Sequence, residues 1–190
     1  MTITWNHELL EQLDWYMVHH FRPRMRGLTD EEYFWEPVAG CWNVRRTDDG
    51  RFEMDHARNM DDAPTPAPFT TIAWRLAHIG SGVLGMRARN HFGDGAFTFD
   101  DVDWPGSAAE GLEFVADAYD AWKEGVAALG DEGLARPCGL AEGPYAEHPF
   151  AALVLHINRE MLHHGAEVCC IRDLYAHRTS LGVPAGSSPA

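Results

Sequence analysis

The stretch "HINREMLHHGAEV", residues 156–168, places three histidines and two glutamates within thirteen residues. Imidazoles and carboxylates are the donors that hold divalent ions and carry protons. On a helix turning about 100° per residue, His156, Glu160 and His164 fall near 0°, 40° and 80°, with Glu167 near 20° and His163 near −20°. All five share one stripe, and Leu153, Ile157, Met161, Val168 and Ile171 run beside it. A solvated charge run does not look like this. A carboxylate or imidazole buried alone is costly, and a divalent ion removes that cost by turning lone pairs into ligands. Glu160 and His164, four apart, lean the same way and can share one ion; His163, three from Glu160, is the rival partner.

A third donor must come from elsewhere in the chain. His78 in "TTIAWRLAHIGSGVLG" lies mid-helix by pattern, with Trp74 as a wall and Ser81, Gly82 and Gly85 leaving volume beside it. His78, Glu160 and His164 would make a mixed nitrogen and oxygen set with open positions. Such a set suits Zn²⁺, with Ni²⁺ or Fe²⁺ as the other ions it accepts. Glu167 is placed to accept from a ligand histidine, and His156 or Glu167 to handle protons. The competing reading is a satisfied core histidine at 78 and a plain polar network at Glu160 and His164. His19 and His20 read as solvated near the end of a first helix. His7, His56, His91, His148 and His177 carry no spacing and read as surface residues.

These side chains need long helices to hold them. Residues 6–27 read as helix one, with Asn6 as cap, a stripe of Leu9, Leu13, Tyr16, Met17 and His20, and Pro23 and Gly27 at its end. Thr29 can cap a short helix stopped before Pro37. Residues 41–55 carry two short runs around Asp49-Gly50, a hairpin pattern. Residues 59–69 read as a proline-rich linker. Helix two spans about 70–90. Helix three spans about 107–129, opened by a Ser107/Glu110 capping box and seamed by Leu112, Val115, Tyr119, Trp122, Val126 and Leu129. Helix four covers about 149–177. The expectation is an all-α four-helix bundle over residues 1–178, with a long connection between helices one and two containing the hairpin, and a disordered tail over 179–190.

Composition narrows the partners. The chain has 190 residues and a formal net charge of −14, so it repels phosphate backbones and nucleic acid is not an expected partner. No apolar run is long enough to span a membrane, and the acidic N-terminus lacks the regions of a signal peptide, so a cytoplasmic location is expected. Cys41, Cys138, Cys169 and Cys170 form no CxxC pair and read as reduced thiols. The tryptophans, among them Trp15, Trp35, Trp42, Trp74, Trp104 and Trp122, are expected to serve core packing before a pocket.

The segments "LLEQLDW", "GLTDEEYFWEP…CWNVR", "TTIAWRLAHI" and "HINREMLHHGAEVCCIRDLY" together resemble the DinB-like superfamily of metal-binding four-helix bundles, which includes the mycothiol-dependent maleylpyruvate isomerase N-terminal domain and the bacillithiol transferases. The resemblance covers about residues 5–177. It implies one ligand from the second helix, His78, and two spaced by four on the last, Glu160 and His164, and so favours His164 over His163. Glu160 stands where many members carry histidine, and the isomerase branch is similar in having glutamate there. The implied function is a metal-dependent transferase using a low-molecular-weight thiol of the mycothiol type on a small-molecule substrate, with a homodimer as the family-like assembly. A metal-dependent hydrolase and a non-catalytic binding protein are the alternatives. The isomerase's extra C-terminal domain has no counterpart in this chain.

Overall fold

The computed structural model describes residues 3–56 and 64–182. Helix α1 runs from Trp5–Tyr16 through a π-helical segment, Met17–Phe21, into Arg22–Met25. The chain stays helical across Pro23 because that proline stands at the start of the last segment, where its missing N–H costs least. Leu13, Met17, Phe21 and Met25 are all buried. Their even four-residue spacing fits the wider π turn, which brings Phe21 inward and leaves His20 exposed rather than on the expected stripe. Gly27, at φ +71, closes the helix as expected.

The cap of α1 differs from expectation. Thr4 holds the cap position, and Asn6 is buried in the first turn. Its side-chain nitrogen donates to the Val126 carbonyl and its backbone N–H to Asp131, 2.8 Å each. Asn6 docks the helix onto a neighbour instead of capping its own end.

The long connection carries α2 (Asp30–Tyr33), capped by Thr29, and a two-stranded antiparallel hairpin, β1 (Val44–Arg46) with β2 (Phe52–Met54), pairing Val44 with Met54. Part of the expected linker, residues 57–63, lies outside the described residues, as do residues 183–190 of the expected tail. Buried Asn43 ties this connection to the next long helix. Its amide donates to Phe34 O and Glu36, and its carbonyl oxygen accepts from Val44 N–H and from the Thr71 hydroxyl. Thr71 Oγ1 in turn accepts from Trp74 N–H and so caps that helix.

This helix, α3, comprises Ile72–His78, a π-helical Ile79–Gly85 and Met86–Phe92. Its extent matches the expected helix two, but the interior is not regular. The wide turn loosens the backbone ladder, and the Ser81 hydroxyl donates to the Ala77 carbonyl at 2.7 Å. Gly80 lets Phe114 pack directly on the backbone: a Cβ there would stand 2.4 Å from its ring.

Helix α4 (Ala108–Ala135) has the Ser107 cap and the expected seam, with Val115, Tyr119, Trp122 and Val126 buried. Glu110 accepts from Gly106 N–H rather than from the cap residue itself. Gly130, at φ 61, breaks its run. Helix α5 is Phe150–His177. Helices α1 and α3 each pack on α4 and α5 and so occupy opposite corners of a four-helix bundle. Trp35 and Trp122 fill the core, whereas Trp15 is exposed. The four cysteines are free. No helix among the described residues is long and apolar enough to cross a membrane.

Candidate metal centre

The expected apolar face of α5, Leu153, Ile157, Met161, Val168 and Ile171, is buried. That burial fixes the rotation of the helix and brings its polar stripe against α3. His78, at the end of the first α3 segment, meets His164 edge to face, with ring centroids 4.7 Å apart and planes at 87°. Trp74, one turn earlier, stacks on His78 at 5.1 Å with planes 14° apart, so the expected wall is present. Gly82, one turn later, leaves the other side open: a Cβ there would stand 3.4 Å from His78 Nδ1.

His164 is buried and has a carboxylate on each side. Its Nδ1 lies 2.8 Å from Glu167 Oε2, and its Nε2 lies 3.5 Å from Glu160 Oε2. Arg75 Nη1 stands 3.1 Å from both Glu167 Oε2 and His164 Nδ1. A guanidinium only donates, so the assignment that satisfies this group has Glu167 accepting from both Arg75 and Nδ1–H. The lone pair of His164 is then on Nε2, facing Glu160. Arg75 was not singled out from sequence, although it lies three residues before His78 in the same "TTIAWRLAHI" run.

His78 is pushed down to about 4, first by burial, then by the neighbouring His164 and Arg75, with Glu160 opposing. Its imidazole is therefore neutral at pH 7, the form that ligates a metal. His156 Nδ1 lies 3.5 Å from Glu160 Oε1 and 2.5 Å from Arg159 Nη2, and burial lowers its pKa as well. His163 is largely exposed and reaches Glu167 Oε1 at 3.4 Å.

Two donor sets therefore overlap at His164. Among the described residues, the ligating atoms of His163, His164 and Glu167 all lie within 4.8 Å of one another. Distance alone favours that set, but Arg75 sits on it: its guanidinium contacts both Nδ1 and Glu167, and a second cation between them would be repelled. The opposite edge of His164, facing Glu160 with His78 against the ring, has no cation fixed in this way. Arg159 also approaches Glu160, at 3.4 Å, but it is solvent-exposed and screened.

One residue read as surface is not. The His91 side chain is only 6% exposed; it contacts Glu142 at 2.9 Å and packs edge-on against Phe150. Its partner comes from a Gly/Pro-rich loop, where spacing offers no clue. Arg87 approaches the same carboxylate at 3.6 Å, and the His91 contact lowers the Glu142 pKa. His7, His56, His148 and His177 are exposed as expected, and so are His19 and His20.

A family model described as the DinB superfamily matches residues 17–168. No curated protein and no solved structure matches the chain. The superfamily is generally metal-binding, which agrees with a histidine and glutamate cluster between α3 and α5.

Proposed function

The chain belongs to the DinB superfamily, and from that premise and the geometry of α3 and α5 we propose that it is a metal-dependent enzyme whose divalent ion, Zn²⁺ by donor type, is held by His78, Glu160 and His164. The observation that carries the reading is the Nε2 edge of buried His164, turned to Glu160 beside the neutral imidazole of His78 while its Nδ1 edge is occupied by Glu167 and Arg75. Two imidazoles and one carboxylate fit a borderline ion that keeps further positions for exchangeable ligands. An ion so held supplies Lewis acidity, lowering the pKa of a coordinated thiol or water.

The chain's own groups do the remainder. Glu167, held by Arg75, fixes the His164 tautomer and raises the basicity of Nε2. Trp74 holds the His78 ring in plane. His156, kept neutral by burial at the rim beside Glu160, is the base that takes a thiol proton.

The reaction proposed is S-transfer from a low-molecular-weight thiol of the mycothiol type. The sulfur forms the new bond to an electrophilic carbon, the thiol proton passes to His156, and the leaving group departs with the bonding electron pair. The test is turnover of an activated aryl halide and an epoxide by Zn²⁺-reconstituted protein, with and without mycothiol. Turnover that requires both thiol and metal is expected. Ester hydrolysis without thiol would move the assignment to a hydrolase, and inactivity on all substrates with metal bound would leave a binding protein.

A further inference from the structure

A cavity of about 600 Å³ lies between β2 and the loop over residues 99–104, a size suited to a small organic ligand. It adjoins the proposed metal centre on both sides. From the loop, Phe99 Cζ lies 3.9 Å from where a Gly82 Cβ would be, and that same point is 3.4 Å from His78 Nδ1. From the hairpin side, Asp55, which comes directly after β2, accepts at its carbonyl from Trp74 Nε1 at 2.7 Å, and Trp74 stacks on His78.

The lining has two distinct chemistries. Phe52, Phe99 and Trp104 supply aromatic surface, and the Phe99 and Trp104 rings lie parallel within 8°, their centroids 6.4 Å apart. Phe99 is 48% exposed, an unusual state for a phenylalanine with no ligand to cover. Glu53, Asp100, Asp101 and Asp103 supply four carboxylates. Of the basic groups, Arg51 is paired with Asp49 at 2.8 Å, and exposed His56 bonds the Met54 carbonyl through Nδ1. The field in the cavity is therefore negative and its walls are π faces, the two features that attract an organic cation.

We propose that this cavity binds an apolar molecule carrying an ammonium group and presents it beside His78. As the substrate pocket of the metal centre it rests on the functional reading above; as a binding site it does not. The test uses the full metal-free chain and three probes, benzyltrimethylammonium, benzyl alcohol and phenylacetate, monitored by calorimetry and Trp104 fluorescence. The ammonium probe is expected to bind at least about tenfold more tightly than either of the others. The triple variant Asp100→Asn, Asp101→Asn, Asp103→Asn should lose that preference while keeping its far-ultraviolet spectrum, and Phe99→Ala should weaken the ammonium probe. The His78 Cε1–H resonance, assigned by its loss in His78→Ala, should shift on probe addition. Equal affinities, no binding, or a preference that survives the triple variant would overturn the pocket; binding without a shift at His78 would overturn its link to the centre. Metal content of the triple variant, by elemental analysis, should match wild type, so failure of the pocket and failure of the metal site are read separately.

Discussion

Helix α5 carries charge into the bundle at two places, and they are built differently. Near its C-terminal end, Arg172 meets buried Glu32 in a two-pronged pair, Nε to Oε1 at 2.6 Å and Nη2 to Oε2 at 3.0 Å, and the same guanidinium donates to the carbonyls of Arg24 and Arg26. Every charge there is matched within the chain. At mid-helix, Glu167 is matched by Arg75, but Glu160 faces imidazole nitrogens at 3.5 Å and an exposed arginine. Its partner His78 is held neutral. The first arrangement is complete as a structural clamp. The second has donors in excess of fixed positive charge, which is what separates a site for a cation from an ion pair that only fastens helices together.

This contrast can be broken or sharpened by substitution. The largest effect is expected at the donors: His78→Ala, Glu160→Ala or His164→Ala should each reduce bound divalent metal from about one equivalent to a small fraction after dialysis. Unchanged content in all three would remove the assignment. At the clamp, Arg172→Ala should cost about 3–5 kcal/mol in urea unfolding by stranding a buried carboxylate, yet leave metal content per folded molecule as in wild type.

The pH dependence separates the two places again. An unfolded histidine takes up a proton near 6.5, but folded His78 does so only near 4. Stability of the metal-free protein is therefore full above 6.5 and falls as the pH drops towards 4, by up to about 3 kcal/mol, and His78→Gln should flatten that slope. A smaller change is expected at the supporting carboxylate: Glu167→Gln should weaken metal binding about 10–100-fold without changing stoichiometry at saturation. His163→Ala should alter affinity least, within about twofold, because its imidazole faces solvent. A loss there as large as at His164 would shift the centre to the edge that Arg75 occupies.

Periodicity found what periodicity controls. The four long helices, the hairpin turn at Asp49-Gly50 and the shared polar stripe of α5 arise from local spacing, and the structure has them. Asn6, Arg75 and His91 show what spacing does not carry. Each takes its role from a partner far away in the chain: Val126, Glu167 and Glu142. The π segments escaped for a related reason. Nothing in "MVHHF" or "IGSGVLG" forbids a regular helix, and the wider turn is stabilised by packing against other helices rather than by the residues' own preferences.

The π segment of α3 has a bearing on how this chain tolerates length changes. A wide turn is a place where a helix stores one residue beyond the regular repeat. Deleting a single residue between Ile79 and Gly85 would let the segment relax to ordinary winding and swing everything after it by about 100°. Trp74, Arg75 and His78 would stay where they are, while Arg87 and His91 would turn away from Glu142. The half of α3 that faces the donors and the half that pins the 140–145 loop are thus rotationally independent, and one codon is enough to uncouple them.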